Sequence, residues 1–500
     1  MVDSNKITHW LVALLGMAFS VTIVPYILNS STGVVAPAIL LFGVGLAFLA
    51  AIRPKIGLYL ATFEVIYLDY FKKLAVYYGE ATERTIIQVL VVSMATILCV
   101  YLGLVIQYIL GKVTFRKLDF LLFAGITLLG AVTFFYGKQQ FGSTSAAGQT
   151  AVNLTIYAGL IVAMPILLRD RKSLETLLKF VVICFIPWSI MGIYQYFFGF
   201  NKIELFYAET GLSPVSSNQF YVALQTLGQA KPMGFGSGSV NFGAVGLLLP
   251  LCLWMTMFSN KQRIFWGIAS GFIFAAMVVS LQRSALLTPF IGVAFYFFTK
   301  SWHRLMMGYL ATAVLLITGI IYSEFLLERL DDINAAIAVE GRWGETVLKV
   351  GTFSDRLRGW ERLRNPETYS LLGALGGSPP AAGSHHDMIN VILDRTGILG
   401  LLLLIGTALF AAIYVHRVIF SIEDKRNRSL ARLLMAAMVP IFIIGMLGGS
   451  NFHANPFNFI MWLHLGAIFC LLTYQRESLA VSRNQETRKA SSPPLAIPAS

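Results

Sequence analysis

The residues best suited to chemistry are concentrated in one long hydrophilic stretch, residues 323–388. It contains Arg356 and Arg358, and it ends close to a histidine pair, His385 and His386. A guanidinium group suits phosphate oxygens because its planar fork stays charged and donates two parallel hydrogen bonds. An imidazole can accept a proton near neutral pH. The stretch therefore predicts a site for a phosphorylated substrate, with a histidine as general base.

Both groups of residues admit a second interpretation. Arg358 and Arg362 are four residues apart and flank Trp360, which also suits an amphipathic helix lying on a membrane surface. The histidine pair is followed by an aspartate and could bind a metal ion, but a zinc site needs three or four protein ligands. A general base or a hydrogen-bond donor to phosphate is favoured, because one aspartate is thin support for a metal site.

Two more cations stand out by their position. Arg283 lies between two apolar runs with almost no loop, and a charge at membrane depth costs at least roughly 2.5–3.5 kcal/mol. It should face the bundle interior, a partner or water, or else reach the interface with its long side chain. Lys231 precedes a glycine-rich segment, residues 234–239, and glycine lets backbone N–H groups approach an anion. Glycines before a span are also ordinary turn residues.

The elements that position these residues are apolar. Of the 500 residues 56% are hydrophobic and 13% are charged, whereas a water-soluble domain carries about 25% charged residues. About 14 apolar runs have the length of a membrane-spanning helix, near residues 9–28, 33–52, 56–71, 86–111, 119–137, 151–168, 177–199, 240–258, 264–281, 284–299, 305–325, 389–414, 432–448 and 457–474. The sequence thus predicts an all-α integral membrane protein, a polytopic bundle of about 12–14 transmembrane helices. A β-barrel would need shorter, alternating strands.

Basic residues predict the orientation of this bundle. The formal net charge is +13, but most Lys and Arg lie in short connections and so do not suggest nucleic-acid binding. The basic connections alternate along the chain and are predicted to be cytoplasmic, near residues 53–55, 112–117, 169–172, 261–263, 300–304 and 425–432. Both termini then lie in the cytoplasm, and the 323–388 loop lies on the other side. Three basic residues do not follow the rule that Lys and Arg are concentrated in cytoplasmic connections, because this topology places them on the other side: Lys72, Lys73 and Arg84.

The same pattern divides the chain into segments. They are N-terminal transmembrane helices 1–175, central helices 176–322 with an outer loop 200–239, the large loop 323–388, C-terminal helices 389–475, and a tail 476–500 that is predicted to be disordered. The cysteines all lie in apolar runs and are predicted to pack as small hydrophobes, at Cys99, Cys184, Cys252 and Cys470. Residues 9–28 lack a cleavage signature and predict an anchor, not a signal peptide.

Four stretches resemble the bacterial O-antigen ligase/polymerase family, which includes Wzy-type polymerases and O-antigen ligases. They are Gly192–Gly199 with a glutamine at a span end, Lys231–Gly243 with a small-residue turn, Ser280–Ala285 with its Ser and Arg, and a large-loop pattern from Arg356 to Gly400. This last pattern includes Trp360, Leu372-Gly373, the histidine pair and Gly397-x-x-Gly400. The chain departs from the family at Lys231, where an Arg is usual. It also lacks the Asn that usually follows the key histidine: His386 takes that place if the key residue is His385, and Asp387 takes it if the key residue is His386.

The resemblance implies a GT-C-like glycosyltransferase of the bacterial inner membrane, with one large periplasmic loop and its chemistry at the periplasmic face. The donor would be a glycan on undecaprenyl diphosphate, and the acceptor another lipid-linked repeat unit or lipid A core. Cations would hold the diphosphate, namely Arg283, Arg356 and Arg358 with help from Lys231. Either His385 or His386 would be the base. No metal or other cofactor is expected, while membrane lipids and other polysaccharide-assembly proteins are expected partners.

Other functional classes are alternatives to this one. A transporter or flippase of lipid-linked saccharides would show paired halves and broken helices near the midplane, and no internal repeat is evident in the sequence. A GT-C enzyme that uses a polyprenyl-phosphate sugar would carry acidic residues in its first outer loop, where Asn29–Thr32 has none. A non-enzymatic assembly scaffold is the last alternative.

Overall fold

The computed structural model describes residues 35–79, 82–141, 155–210, 212, 232–236, 242–259, 261–281, 283–321, 371, 388–448 and 456–491. Within these ranges every regular element is helical and no strand occurs, so the predicted all-α class is confirmed there. The α-helices are α1 Val35–Ile52, α2 Pro54–Tyr78, α3 Glu83–Ile109, α4 Lys117–Phe141, α5 Leu160–Leu167, α6 Arg171–Phe198, α7 Lys202–Glu209, α8 Leu249–Phe258, α9 Arg263–Val279, α10 Arg283–Phe298, α11 Trp302–Ile321, α12 Met388–Phe420, α13 Lys425–Gly448 and α14 Phe457–Ser491. Two 3-10 turns, Ile156–Gly159 and Gly243–Leu247, lead into α5 and α8.

In the described part of the chain, three helices are long and apolar enough to cross a membrane. They are Val89–Ile109 within α3, the whole of α6, and Phe457–Gln475 within α14, with mean hydropathies of 2.7, 2.0 and 1.6. The described residues also contain shorter apolar helices, among them Gly243–Phe258 and Arg263–Val279. Association with a membrane is therefore indicated, and the full number of spans stays a prediction. The predicted first span, residues 9–28, lies outside the described residues.

The last helix extends past the predicted last span. The composition predicts a disordered tail from residue 476, whereas α14 stays helical as far as Ser491. Residues 476–491 contain several good helix formers and neither glycine nor proline, and the next proline is Pro493. Local propensity thus accounts for the extra helical turns, and residues 492–500 lie outside the described residues.

Contacts bring several basic connections together at one end of the helices. Lys55 Nζ donates a hydrogen bond to Ser173 Oγ at 2.8 Å. Arg169 Nη2 donates to the carbonyl of Lys112 at 3.3 Å. These contacts join the beginnings of α2 and α6 to the end of α3. We call the end that holds Lys55, Lys112 and Arg169 the basic end.

Cations of α13 tie further helices to the basic end. Arg426 Nη2 lies 3.1 Å from Glu175 Oε1 of α6, and its guanidinium lies 5.6 Å from the ring centroid of Trp254 in α8. Arg432 Nη2 donates to the carbonyl of Tyr296 in α10 at 2.7 Å. A partly exposed ion pair contributes only about 0–1 kcal/mol. The contacts matter because they place α6, α8, α10 and α13 at a common end.

Asp170 caps α6 at the basic end. Its carboxylate accepts hydrogen bonds from Ser173 Oγ at 2.6 Å and from Ser173 N at 2.8 Å. These hydrogen bonds, the hydroxyl one foremost, hold the pKa of the Asp170 carboxyl below its usual value. Because the folded-state pKa is lowered, the cap stabilises fully above the unfolded pKa of about 3.9. The contribution is lost as pH falls below that value through the folded pKa.

We expect Asp170→Ala to lower the unfolding midpoint at pH 7, and Asp170→Asn to lower it little, because asparagine caps helices about as well as aspartate. Unfolding can be followed by the fluorescence of the buried Trp188 and Trp266. Below about pH 4 the wild-type midpoint should fall further than that of Asp170→Asn. Equal pH profiles for the two proteins would contradict this account of the cap.

Candidate functional site

A buried polar cluster lies at the ends of α2 and α6 that are remote from the basic end. Its centre is Gln195, near the end of α6. Gln195 Oε1 accepts hydrogen bonds from the backbone N–H groups of Met233 at 2.7 Å and Gly234 at 2.8 Å. Its Nε2 donates to the carbonyl of Gly234 at 2.8 Å. One amide side chain thus satisfies three backbone groups of a short loop, residues 232–236.

Glu204 and Lys73 extend this arrangement. Gln195 Nε2 also donates to Glu204 Oε1 at 2.5 Å. Lys73 Nζ lies 3.5 Å from the same oxygen and donates to the carbonyl of Gly236 at 2.7 Å. Each of the three side chains belongs to a residue that is only 1% exposed. We call these three residues, with the loop 232–236 that they hold, the Gln195 cluster.

The other oxygen of Glu204 is held by the beginning of α7. Asn201 Oδ1 accepts a hydrogen bond from Glu204 N at 3.0 Å, and Glu204 Oε2 accepts one from Asn201 N at 3.2 Å. This reciprocal pair is a capping box. Both carboxylate oxygens of Glu204 therefore have donors, and the local sequence of α7 sets the orientation of the group that meets Gln195.

The buried ion pair between Lys73 and Glu204 contributes little net stability to the fold, but it fixes the relative position of the helices that carry the two residues. Desolvation of two charges offsets most of their attraction, but removal of one partner leaves an uncompensated charge that costs about 3–5 kcal/mol. Hydrogen bonds to the carboxylate are charge-assisted, and so they are shorter and stronger than neutral ones. The cluster consequently fixes α2, α6, α7 and the loop relative to one another.

The loop depends on a glycine. Gly234 has φ +57°, in the left-handed region that side chains disfavour. A Cβ at Gly234 would lie 2.2 Å from Trp188 Nε1 and 2.7 Å from Phe242 Cδ2. The Phe242 ring in turn lies against Gly192 of α6, where a Cβ would be 1.9 Å from Cζ. Two aromatic rings thus occupy the space that side chains at the two glycines would need.

Aromatic contacts hold the loop from α2 and α6. The Phe235 ring centroid lies 4.6 Å from that of Tyr70, 5.4 Å from that of Tyr67 and 6.2 Å from that of Trp188. Such pairs contribute about 0.5–1.5 kcal/mol each beyond the area they bury. Because Tyr67, Tyr70 and Lys73 lie at successive turns of α2, one face of this helix supplies both the apolar and the charged contacts to the loop.

A second lysine is paired beside the cluster. Lys72 forms an ion pair with Asp69, one turn earlier in α2, and its side chain is 8% exposed. Lys72 and Lys73 are residues that break the positive-inside pattern. In the structure both have carboxylate partners, Asp69 and Glu204, and paired charges are tolerated at membrane depth far better than isolated ones.

The first three of the four family-like stretches include residues on elements that contact one another. Gln195, from the first stretch, holds the loop of the second. The turn Gly243–Leu247 that follows this loop packs against α10, which begins at Arg283 in the third stretch. Just before it, Leu281 has φ 54°, an uncommon conformation for a residue other than glycine. The backbone therefore changes direction at Leu281, two residues before Arg283 in the sequence.

The fourth stretch contains a backbone break. Within α12, Gly397 has φ 67° and ψ −167° and interrupts the helix, a conformation that is essentially confined to glycine. Two residues later, the N–H of Leu399 donates to the carbonyl of Leu371 at 3.2 Å. Leu371 directly precedes Leu372-Gly373 of the large-loop pattern. This hydrogen bond links the described point of that loop to the helix that follows it.

The predicted site residues are described only in part. Arg283 is the first residue of α10. Outside the described residues lie Lys231, Arg356, Arg358, His385 and His386. Their roles, and their convergence with Arg283, stay predictions.

Sequence reasoning missed the Gln195 cluster as a unit, although each member had a signal. Gln195 is in a family-like stretch, Asn201-x-x-Glu204 is a capping-box pattern, and Lys73 departs from the positive-inside rule. The sequence did not indicate that Gln195, Glu204 and Lys73 contact one another in the folded protein.

Comparison with known proteins gives no match: no family model, no curated protein and no solved structure is significantly similar to this chain. The family resemblance therefore depends on the four sequence stretches alone.

Proposed function

We propose that the chain is a polytopic glycosyltransferase of the bacterial inner membrane that transfers or polymerises undecaprenyl-diphosphate-linked glycan units at the periplasmic face. It would be an O-antigen ligase or an O-antigen or exopolysaccharide polymerase. The observation that supports this proposal most is the set of hydrogen bonds between the Gln195 side chain and the backbone of Met233 and Gly234. It joins two stretches of the family resemblance, at residues almost 40 positions apart, into one buried structure. In the sequence, the loop 232–236 directly follows a candidate phosphate ligand, Lys231.

The position of the cluster along the helices also supports the proposal. Lys55 and Ser173 are in contact at the basic end. Lys73 lies 18 residues beyond Lys55, about 27 Å along α2 at 1.5 Å per residue. Gln195 lies 22 residues beyond Ser173, about 33 Å along α6. Since the apolar core of a bilayer is about 30 Å thick, a cytoplasmic basic end would place the Gln195 cluster at the periplasmic face.

In the proposed reaction an acceptor hydroxyl attacks the anomeric carbon of the donor glycan. The new bond joins the acceptor oxygen to that carbon, and the bond from the carbon to the diphosphate oxygen breaks, which releases undecaprenyl diphosphate. The hydroxyl proton goes to His385 or His386. The charge that develops on the leaving group is stabilised by fixed cations, with Arg283, Lys231, Arg356 and Arg358 in this role.

The test in cells is Arg283→Ala. We expect long glycan chains to be lost while the protein remains in the membrane fraction, because removal of one donor to a developing charge costs about 10²–10³ in rate. The matched control is Lys300→Ala, which removes an exposed cation from the connection after α10. Normal glycan chains in cells carrying Arg283→Ala would overturn the assignment of Arg283.

The test in solution uses purified protein with lipid-linked repeat units, with and without lipid A core. Growth of the glycan on its lipid carrier would identify a polymerase, and transfer to the core would identify a ligase. The absence of any product with active substrate preparations would contradict the enzyme and favour a transporter or flippase of lipid-linked saccharides.

A further inference from the structure

Glu64 of α2 is a buried acid without a cation. The residue is 4% exposed, and neither of its carboxyl oxygens has a hydrogen-bond partner. The two other acids that are buried in the described part of the chain are paired. Glu204 Oε1 lies 3.5 Å from Lys73 Nζ, and Asp119 Oδ1 lies 2.9 Å from Arg116 Nη2. Glu64 therefore lacks the partner that makes a buried carboxylate tolerable.

Glu64 lies midway between the two lysines that mark the ends of α2. It is nine residues from Lys55 at the basic end and nine from Lys73 in the Gln195 cluster, about 14 Å from each at 1.5 Å per residue. The two lysines together span nearly the thickness of the apolar core of a bilayer, about 30 Å. An ionisable residue near the midplane is costly and marks a functional site by default.

The polar neighbour of Glu64 is a hydroxyl group of α3, which packs closely on α2. The Thr96 hydroxyl acts on the Glu64 carboxyl, although the two groups are not in hydrogen-bonding geometry. Thr96 is 0% exposed, and its hydroxyl donates to the carbonyl of Val92 at 3.1 Å. With its proton directed at Val92, Thr96 has only acceptor capacity left for Glu64. A proton on the carboxyl group would supply the missing donor.

No charged side chain offsets the burial of Glu64. Helix α1 contains no titratable residue, and no described lysine or arginine of α2, α3, α6 or α7 lies within 4.0 Å of the carboxyl. Near its level are the thiols of Cys99 on α3 and Cys184 on α6, together with the phenol of Tyr67, which donates to the carbonyl of Cys184 at 2.7 Å. Thiols and phenols are neutral near pH 7. An isolated buried carboxylate costs so much free energy that the group binds a proton instead.

We propose that Glu64 is a proton-binding site between α2 and α3, which holds its proton at neutral pH and presents a carboxylic acid to the interior of the helices. Uptake of the proton removes the charge, and the O–H that forms can donate to the Thr96 oxygen. Release of the proton leaves a carboxylate, to which the Thr96 hydroxyl can donate by turning away from Val92. The proposal depends on the surroundings of Glu64 and not on the proposed function.

The first measurement is covalent labelling with dicyclohexylcarbodiimide, an apolar reagent that enters membranes. The carboxylic acid adds across a C=N bond of the reagent, its oxygen to carbon and its proton to nitrogen, so a carboxylate without a proton does not react. Full-length protein in lipid nanodiscs is labelled at pH 7, and the modified peptides are quantified by mass spectrometry. The control site is Glu209, an exposed residue of α7.

We expect the label on Glu64 to exceed that on Glu209 by roughly tenfold or more, because an exposed glutamate holds a proton in only roughly one molecule in 500 at pH 7. The label should decrease as the pH is raised, and Glu64→Gln should carry none at this position. Slower labelling in sodium chloride than in choline chloride of equal concentration would show that the carboxylate binds a sodium ion, and it would overturn the assignment to a proton.

The second measurement is the midpoint of thermal unfolding as a function of pH, which does not depend on access of a reagent. The unfolded chain releases the Glu64 proton above about pH 4.3. The folded protein would keep it, and stability falls with rising pH wherever the folded state binds more protons. From about pH 5 to pH 8 the wild-type midpoint should therefore fall relative to that of Glu64→Gln, the neutral isostere. Glu209→Gln should follow the wild type.

The pH profile decides between the outcomes. Parallel midpoints for wild type and Glu64→Gln would overturn the proposal. Diverging midpoints would support it even where the carbodiimide does not reach the site. Should Glu64→Gln fail to fold, labelling of the wild type decides: more label on Glu64 than on Glu209 supports a bound proton, and equal label on the two residues overturns it.

Discussion

Lys73→Met is expected to destabilise the folded protein by about 3–5 kcal/mol, the cost of leaving a buried charge without its partner. Methionine is similar to lysine in length and is apolar, so packing along α2 is largely kept. Glu204 would keep its hydrogen bonds from Gln195 and from the Asn201 backbone. It would lose the only cation within 4.0 Å among the described residues. The carbonyl of Gly236 would also lose its donor.

The loss can be measured as a fall in the midpoint of thermal unfolding with a thiol-reactive dye. The dye reports unfolding because the free thiols of Cys184, Cys252 and Cys470 are buried in the folded protein. In a second variant, Glu204→Gln is added to Lys73→Met, which removes both charges. Most of the stability should return, because replacement of both partners of a buried ion pair is often neutral.

Lys172→Met serves as the control for Lys73→Met. Lys172 is exposed, and surface substitutions usually change the free energy of unfolding by less than about 0.5 kcal/mol. If Lys73→Met unfolds at the same temperature as Lys172→Met, then Lys73 and Glu204 do not form a buried ion pair in the Gln195 cluster.

Gly234→Ala is expected to have an effect of similar size for a different reason. The positive φ costs an alanine about 1–2 kcal/mol, and the added Cβ would overlap Trp188 and Phe242, where overpacking typically costs about 1–3 kcal/mol. Neither ring can move freely, because Trp188 and Phe242 are 1% and 0% exposed. The midpoint of unfolding should therefore fall.

A matched glycine distinguishes this steric effect from a general effect of glycine replacement. Gly271 lies inside α9, and a Cβ there would meet nothing within 4 Å. Gly271→Ala should be neutral or stabilising by up to about 1 kcal/mol, because alanine favours helix. Adding Trp188→Phe to Gly234→Ala should relieve part of the overlap and leave the backbone strain. Full stability of Gly234→Ala alone would show that the loop has another conformation available.

The candidate site could be predicted from the sequence only where its signal was local. The Asn201-x-x-Glu204 pattern predicts the beginning of α7, since a capping box involves residues three apart. The departure of Lys73 from the positive-inside rule indicates an unusual lysine but no partner for it. Its partner, Glu204, is 131 residues away in the sequence. No periodicity connects two positions so far apart.

The sequence by itself determined the helical, apolar character of the chain, since 56% hydrophobic residues in long runs leave the backbone polar groups no partners in lipid except one another. It also places glycine at 234 and 397, where the backbone has a positive φ that a residue with a side chain adopts only at a cost. Only the tertiary structure decided that Gln195, Glu204 and Lys73 meet around one loop. Burial is the physical reason: a polar group removed from water must find a partner in space, and packing of distant helices determines which partner is near.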